Sequence, residues 1–346
     1  MRIPRFLGHS VEEQAGGGWR VRMAMSRVPG ECLDSFLKRA PPPEEPTVAL
    51  RRGVLLAAQL VRQLAPTLDR IAPHAWHRDV NSHNVLLGDA ADGGKLIVGG
   101  DPEEAGRSAS FWLIDFGLAV DAATWPTQWP TADVAGDVRY WPPSSFAMSF
   151  YGPDTISGNK GLCTQYQTRL DVAGLGLTAL EVLCATALSG ASDIREGLPG
   201  VWANLLEGWE KYWGEVTRWH TMIFHVFATG GDITALYQQL GKEDVVARVG
   251  EHIKKLRGLL RTCAANSEEA DARGLLNVLA DMIDEDSAVG MREAVAALGP
   301  EPRRNVCRSL LPQLQSPAVV MRQSSTPQAG VARHLPHPQM PLPPQG

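Results

Sequence analysis

Two short segments hold the side chains with the clearest chemical potential. His77-Arg78-Asp79-Val80-Asn81-Ser82-His83-Asn84 gathers a carboxylate, two amides, two imidazoles and a guanidinium, and Asp115-Phe116-Gly117 adds a second carboxylate further on. Transfer of a phosphoryl group suits this set. Asp79 can accept the proton of an attacking hydroxyl. The hard divalent cations that bridge phosphates take oxygen ligands, and Asn84 and Asp115 offer them. Taken singly, each piece has an ordinary reading: Asp-Phe-Gly is commonly a turn, and His-Arg-Asp a surface loop.

The elements that must position these residues can be read nearby. Val85–Leu87 and Phe111–Ile114 are apolar runs of strand length, and pairing them brings Asn84 and Asp115 to neighbouring ends of one hairpin. Between them, Gly88–Ser110 is rich in Gly, Asp, Ala and Glu and reads as a mobile loop insertion away from the site. Upstream, Phe6–Val11 and Trp19–Met25 read as strands joined through Gly16–Gly18, with Pro29–Gly30 closing the second. Leu33, Phe36 and Leu37 begin a short helix, and Pro41–Pro43 and Pro46 break the chain. Apolar residues stepping by three and four predict a helix from about Val48 to Ile71. Residues 116–168 read as irregular but packed, with Trp125, Trp129 and Trp141 as contact residues. Val172–Ala191 approaches the ~20 apolar residues that span a bilayer. It contains Glu181, Gly174 and Gly176 and lacks a basic flank, so a buried core helix is expected. Residues 200–298 read as further helices. Residues 316–346 hold seven prolines and no acidic residue, and read as a disordered tail.

Composition narrows the class. With 346 residues, 44% hydrophobic and 21% charged, the chain suits one large domain or two ordinary ones, and not a wholly disordered or collagen-like protein. A net charge of -5 argues against a nucleic-acid partner. The five cysteines are scattered without a CxxC pair, which gives no support to a zinc or disulfide framework and favours a reducing compartment. The opening MRIPRFLGHS lacks the apolar run of a secretory signal, so the expectation is a cytoplasmic protein with no membrane partner.

In this order, the motifs resemble those of the eukaryotic protein kinases. His77–Asn84 followed by Asp115–Gly117 looks like their catalytic and metal loops, and Asn81–Leu87 is most similar to the tyrosine-kinase-like group of serine/threonine kinases. Gly136–Pro143 resembles the end of the activation segment. Asp171–Gly176 resembles the start of the buried central helix, and Met23–Gly30 the last small-lobe strand and hinge. The resemblance implies an α+β, protein-kinase-like fold with a mostly helical large lobe and a reduced small lobe. Its parts would be a small-lobe remnant over 1–38, a large lobe over 39–312 with the 88–110 insertion, and a disordered Pro-rich tail over 313–346. It also implies ATP and Mg2+ as cofactors and a protein substrate phosphorylated on Ser or Thr. Asp79, Arg78 and Asn81 would form the catalytic set, with Arg78 steadying the activation segment. Asn84 and Asp115 would bind the metal, and Met25, Ser26, Val28, Phe116 and Gly117 would surround ATP. His77 and Asp171 would support the catalytic loop, Asp171 by accepting backbone hydrogen bonds from it. Tyr140, Trp141, Pro142 and Pro143 would dock the substrate.

Departures from the family pattern point to impaired turnover. The chain starts just before the fourth strand of that plan, without a phosphate loop. Lys38, the only lysine before Asp79, sits past the hinge, so no residue can be the ATP-anchoring lysine. Asn81 stands where many serine/threonine kinases carry lysine. Ser144 replaces a glutamate whose arginine partner is expected near Gly290, with Arg292 able to serve another acid. The alternative is a catalytically inactive pseudokinase acting as an interaction scaffold; a small-molecule phosphotransferase fits less well. Thr124, Thr127 and Thr131 lie where activating phosphorylation would occur. Pro338–Pro341 matches a PxxP ligand for an SH3-type partner, although plain disorder is the commoner reading of such a tail.

Overall fold

A computed structural model describes residues 1–14, 16–39, 45–89, 96, 101–188 and 197–299. The expected tail over 313–346, with Pro338–Pro341, lies outside the described residues, as do residues 41–43, 90–95 and 97–100. The alternating residues near the start form a hairpin of β1 (Phe6–Glu13) and β2 (Trp19–Met25), paired antiparallel with Val11 opposite Val21. Then come β3 (Glu31–Cys32), α1 (Leu33–Leu37) and α2 (Pro46–Ile71). Pro46 begins α2 rather than breaking the chain, since a first-turn residue needs no amide donor.

After β4 (Ala75–Trp76), β5 (Val85–Asp89) pairs antiparallel with β6 (Ala109–Leu113), placing Val85 opposite Leu113 and Leu87 opposite Phe111. β3 adds to the other edge of β5, and β7 (Val120–Asp121) pairs with β4. Part of the supposed loop insertion is instead a helix, α3 (Pro102–Ser108). Asp101 caps it by accepting the Glu103 amide at 3.0 Å, and Arg51 of α2 pairs with Glu103 at 2.7 Å. Gly106 rests on Leu55, so this part is packed on α2 rather than loose.

The stretch expected to be irregular is largely helical too. It holds α4 (Trp125–Gln128), a 3-10 turn at Val138–Tyr140, α5 (Pro143–Ser157, interrupted at Gly152) and α6 (Lys160–Thr168). Prolines and glycines hid the periodicity, because Pro142 and Pro143 lie at the start of α5, where proline is tolerated. Trp125, Trp129, Met148, Ile156 and Tyr166 form a separate apolar cluster there.

α7 (Leu170–Leu188) is the axis of the main core. Among the described residues it is the one helix long and apolar enough to cross a membrane, and 89% of that window is buried inside the protein. α8 (Gly200–Thr229), α9 (Ile233–Lys242), α10 (Val245–Asn266), α11 (Ala270–Met282) and α12 (Met291–Ala297) complete the described chain. The result is an α+β architecture, mostly helical, with small antiparallel sheets.

Ser144 donates its amide to the Gln165 side-chain carbonyl at 3.1 Å, a neutral contact where an acid would have needed a charged partner. Gly290 caps α12, and Arg292 pairs with Asp69 at 2.8 Å. The buried Arg169 instead takes backbone carbonyls of Asp284, Asp281 and Val289 at 2.6, 3.1 and 3.1 Å.

α2 comes close to the backbone of α7 at Gly53, where a Cβ would lie 2.6 Å from the Leu183 carbonyl oxygen. Backbone cannot yield as a flexible side chain does, so Gly53→Ala forces the helices apart. We expect a loss of about 1–3 kcal/mol, read as a lower urea midpoint. Gly258→Ala is the contrast. Gly258 sits at an exposed position of α10 with nothing within 4 Å of its added methyl, and helix propensity predicts a gain of about 0.5–1 kcal/mol.

Candidate functional site

The turn after β4 leaves the amides of His77 and Arg78 inside the protein with no strand or helix to accept them. Buried amides need a partner. Asp171, in the first turn of α7, supplies both: its Oδ2 accepts the His77 amide at 2.9 Å and its Oδ1 the Arg78 amide at 2.7 Å. Burial pushes the Asp171 carboxyl up, opposed by His77 and by these amides. Arg78 has a φ of 65°, a left-handed conformation that disfavours side chains by about 1–2 kcal/mol. Its guanidinium donates to the Asp133 carbonyl at 2.7 Å and lies 4.9 Å over the Trp125 ring. Burial lowers the Arg78 pKa.

This turn presents Asp79. Its Oδ1 accepts the Asn81 side-chain amide at 2.6 Å and the Asp137 backbone amide at 3.0 Å, and its Oδ2 accepts the Asn84 side-chain amide at 2.7 Å. A carboxylate has about four acceptor positions, so one on Oδ2 stays free. Burial raises the Asp79 pKa from its ordinary value, against the lowering effect of the Asp137 amide. Asn81 organises the loop from the other side, as its Oδ1 accepts the amides of His83 at 2.8 Å and Asn84 at 3.1 Å. The Asn84 NH2 donates to both the Asp79 carbonyl at 2.9 Å and Oδ2, which leaves its carbonyl oxygen turned away from Asp79. Gly136 lets the chain carrying Asp137 come this close. Its φ is 93°, and a Cβ there would sit 2.7 Å from the Arg78 carbonyl.

The second segment joins at the strand ends. Ile114 donates its amide to the Asn84 carbonyl at 2.9 Å, and the His77 Nε2 lies 3.1 Å from the Ile114 carbonyl oxygen. The buried His77 ring meets Phe116 edge-on at 4.7 Å. Asp115 has a φ of 61° and is exposed, and its Oδ1 accepts the Gly117 amide at 3.0 Å.

A cavity of about 670 Å³ opens over the loop, lined by Arg78, Asp79, Asn81, Asn84, Gly117 and Trp141 among the expected residues. Asp115 and Phe116 adjoin this lining in sequence but are not part of it. Met25, Ser26 and Val28 do not line it either. Met25 is on the exposed β1–β2 hairpin, and Ser26 is tied to Arg5 through two hydrogen bonds of 2.8 Å. Of the four expected docking residues, all are buried and only Trp141 reaches this cavity. Tyr140 faces inward: its hydroxyl donates to Glu181 Oε2 at 2.7 Å and lies 2.7 Å from Ser82 Oγ. Pro142 and Pro143 start α5.

The remaining lining includes His83, Gly136, Asp137 and Val138, which lie inside the quoted motifs without an assigned site role, and residues of α8, which lie outside them. Asp137 binds Arg139 through both carboxylate oxygens; burial pushes its carboxyl up, but Arg139 outweighs that and holds it below the usual range. His83 is 2.6 Å from Arg139 Nη2, and His220 of α8 is 3.9 Å from Asp137. Burial lowers both imidazoles. Ile223, Phe224 and Phe227 of α8 form an apolar side. Their spacing is that of an ordinary core face, so nothing in the sequence marked them.

Among the described residues, no group of three or more His, Cys, Asp or Glu side chains could hold a metal. Asn84 and Asp115 carry an amide oxygen and a carboxylate beside adjacent strand ends, donors of the hard type that divalent cations take. No protein-family model matches the chain, and no curated protein sequence matches it.

The Ser82–Tyr140–Glu181 network sets a pH dependence of stability. Burial pushes the Glu181 carboxyl up to about 7 from an ordinary 4.5, against the hydrogen bonds from Tyr140 and Ser82. The folded protein therefore keeps this proton over a range where the unfolded chain has released it. Stability from this group is greatest below about pH 4.5 and declines as pH rises to about 7, by on the order of 3 kcal/mol. Glu181→Gln should remove this decline, so its stability relative to the parent rises between pH 5 and pH 8 in urea titrations.

Proposed function

We propose that the chain is a protein serine/threonine kinase of the eukaryotic type, with a protein-kinase-like fold, acting on protein hydroxyls with Mg-ATP. The observation that carries this reading is the Asp79 carboxylate at the cavity wall, fixed by three donors with one acceptor position left open. A Ser or Thr hydroxyl delivered there gives its proton to Oδ2 as its oxygen bonds to phosphorus and the leaving ADP departs. The three donors keep the carboxylate from turning away, so orientation is set before the substrate arrives. Asn84 and Asp115 would hold Mg2+, which supplies charge neutralisation on the phosphates. His77 and Asp171 act as positioning residues through the backbone of the loop. The raised pKa keeps Asp79 a stronger base than an ordinary aspartate.

The expected outcome with a Ser/Thr peptide and Mg-ATP is transfer that Asp79→Asn lowers at least a hundredfold, read as labelled phosphate incorporation. Transfer should fall on acidification through the raised Asp79 pKa, with the acid limb displaced upward from that of an ordinary aspartate. Retention of full activity by Asp79→Asn excludes the mechanism.

A second reading, the inactive pseudokinase scaffold, is favoured by one observation: neither Asp115 nor Met25, Ser26 and Val28 line the cavity, and no lysine among the described residues does. Thermal shift separates the two. The kinase should gain melting temperature with Mg-ATP, and the gain should shrink in Asp115→Asn. The scaffold should respond to neither.

A further inference from the structure

Helical spacing brings His220, Ile223, Phe224 and Phe227 of α8 to one face, and all four line the cavity that holds Asp79. Ile223 is buried in the main core and Phe227 packs against it, so this wall is anchored. Phe224 is different. It is 59% exposed, with its ring stacked 6.1 Å from His220 at 16°, and it presents an aromatic face to the space beside the carboxylate. An exposed phenylalanine inside a concave site is the usual mark of a surface that awaits an apolar group. The same lining carries the carboxylates of Asp79, Asp133 and Asp137, while among the described residues Arg78 and His83 are its only other ionisable groups besides His220. That balance disfavours an acidic neighbour.

We infer that α8 selects the substrate: the Phe224 face receives an apolar side chain of a peptide whose Ser or Thr hydroxyl sits at Asp79. The inference rests on the proposed reading of Asp79 as the place where the hydroxyl arrives. An extended peptide advances about 3.3 Å per residue with side chains on alternating sides. A cavity of about 670 Å³ therefore takes the hydroxyl residue and its near neighbours only, and the apolar residue lies within two or three positions of the acceptor. Phe224 is a specificity residue here. It takes no part in the proton transfer.

The test uses the full chain and two labelled Ser peptides that differ only in Phe or Ala beside the acceptor. Binding is read by fluorescence anisotropy without nucleotide, and transfer by phosphate incorporation with Mg-ATP. The expected result is a preference of about ten- to hundredfold for the Phe peptide in both readouts, appearing in KM rather than kcat. The preference should collapse toward one in Phe224→Ala and return in part in Phe224→Leu. Because Phe224 is exposed, both variants should melt like the parent. Equal binding of the two peptides by the parent overturns the inference, whatever the transfer rate. So does a Phe224→Ala effect confined to the KM for ATP, which would assign the wall to the nucleotide base. Preferential binding that Phe224→Ala abolishes, without any transfer, keeps the Phe224 face as the site of the apolar side chain and refutes the kinase reading instead.

Discussion

Two amides that point into the protein at His77 and Arg78, and the single carboxylate of Asp171 that accepts both, set the conditions for everything above them. Without that acceptor, the turn would bury two unsatisfied donors, each costing about 1–3 kcal/mol. With it, Arg78 is held in a left-handed conformation and Asp79 is delivered to a fixed position. The Asp79 hydrogen bonds then form between groups already in place. Orientation of the carboxylate is thus a consequence of backbone satisfaction further down.

The same helix supports the loop along its length. Asp171 holds the loop at one end, and Thr178 Oγ1 lies 3.4 Å from the Val80 carbonyl. Glu181 reaches Ser82 at 3.4 Å and Tyr140 at 2.7 Å. At 1.5 Å per residue, these contacts span about 15 Å of an otherwise apolar helix. A polar group in such a helix must be satisfied: Asp171 and Glu181 are satisfied by the loop and the segment beside it, and Thr178 by the Gly174 carbonyl of its own helix at 2.7 Å. α7 therefore acts as core and as scaffold for the site at once. Tyr140 serves this second purpose, which explains why it turns inward rather than toward a partner.

Legibility in the sequence followed how local the determining interaction was. α2, α7, β5 and β6 could be read from their apolar residues, because burial of a face or of a whole element is written into consecutive residues. β1 and β2 were legible from alternation around a glycine turn, although neither buries a face in the fold. α3 and α5 were not legible. Glycine, proline and acidic residues resemble loop composition, yet Pro102 and Pro143 sit in first turns and Asp101 is a cap. The Asp79, Asn81 and Asn84 cluster was legible as chemistry, but Asn81 was weighed as the absence of a cation, whereas it organises the loop. Asp137, Arg139 and His83 lie inside the two quoted motifs, but their contact with each other and with His220 of α8 joins three separate stretches, and no spacing rule connects those.

Residue order by itself determined which carboxylates and amides the molecule carries, where one buried helix must run, and which strands flank the two motifs. These follow from hydrophobic periodicity and from side-chain chemistry that acts within a few residues. Tertiary structure alone decided which groups share a cavity. It joined Asp79 to the Asp137 amide, brought the α8 aromatic face into the same cavity, and left Asp115 at the strand end outside the lining. Those outcomes depend on how helices and loops separated by tens of residues pack against each other, and such packing is a property of the whole fold.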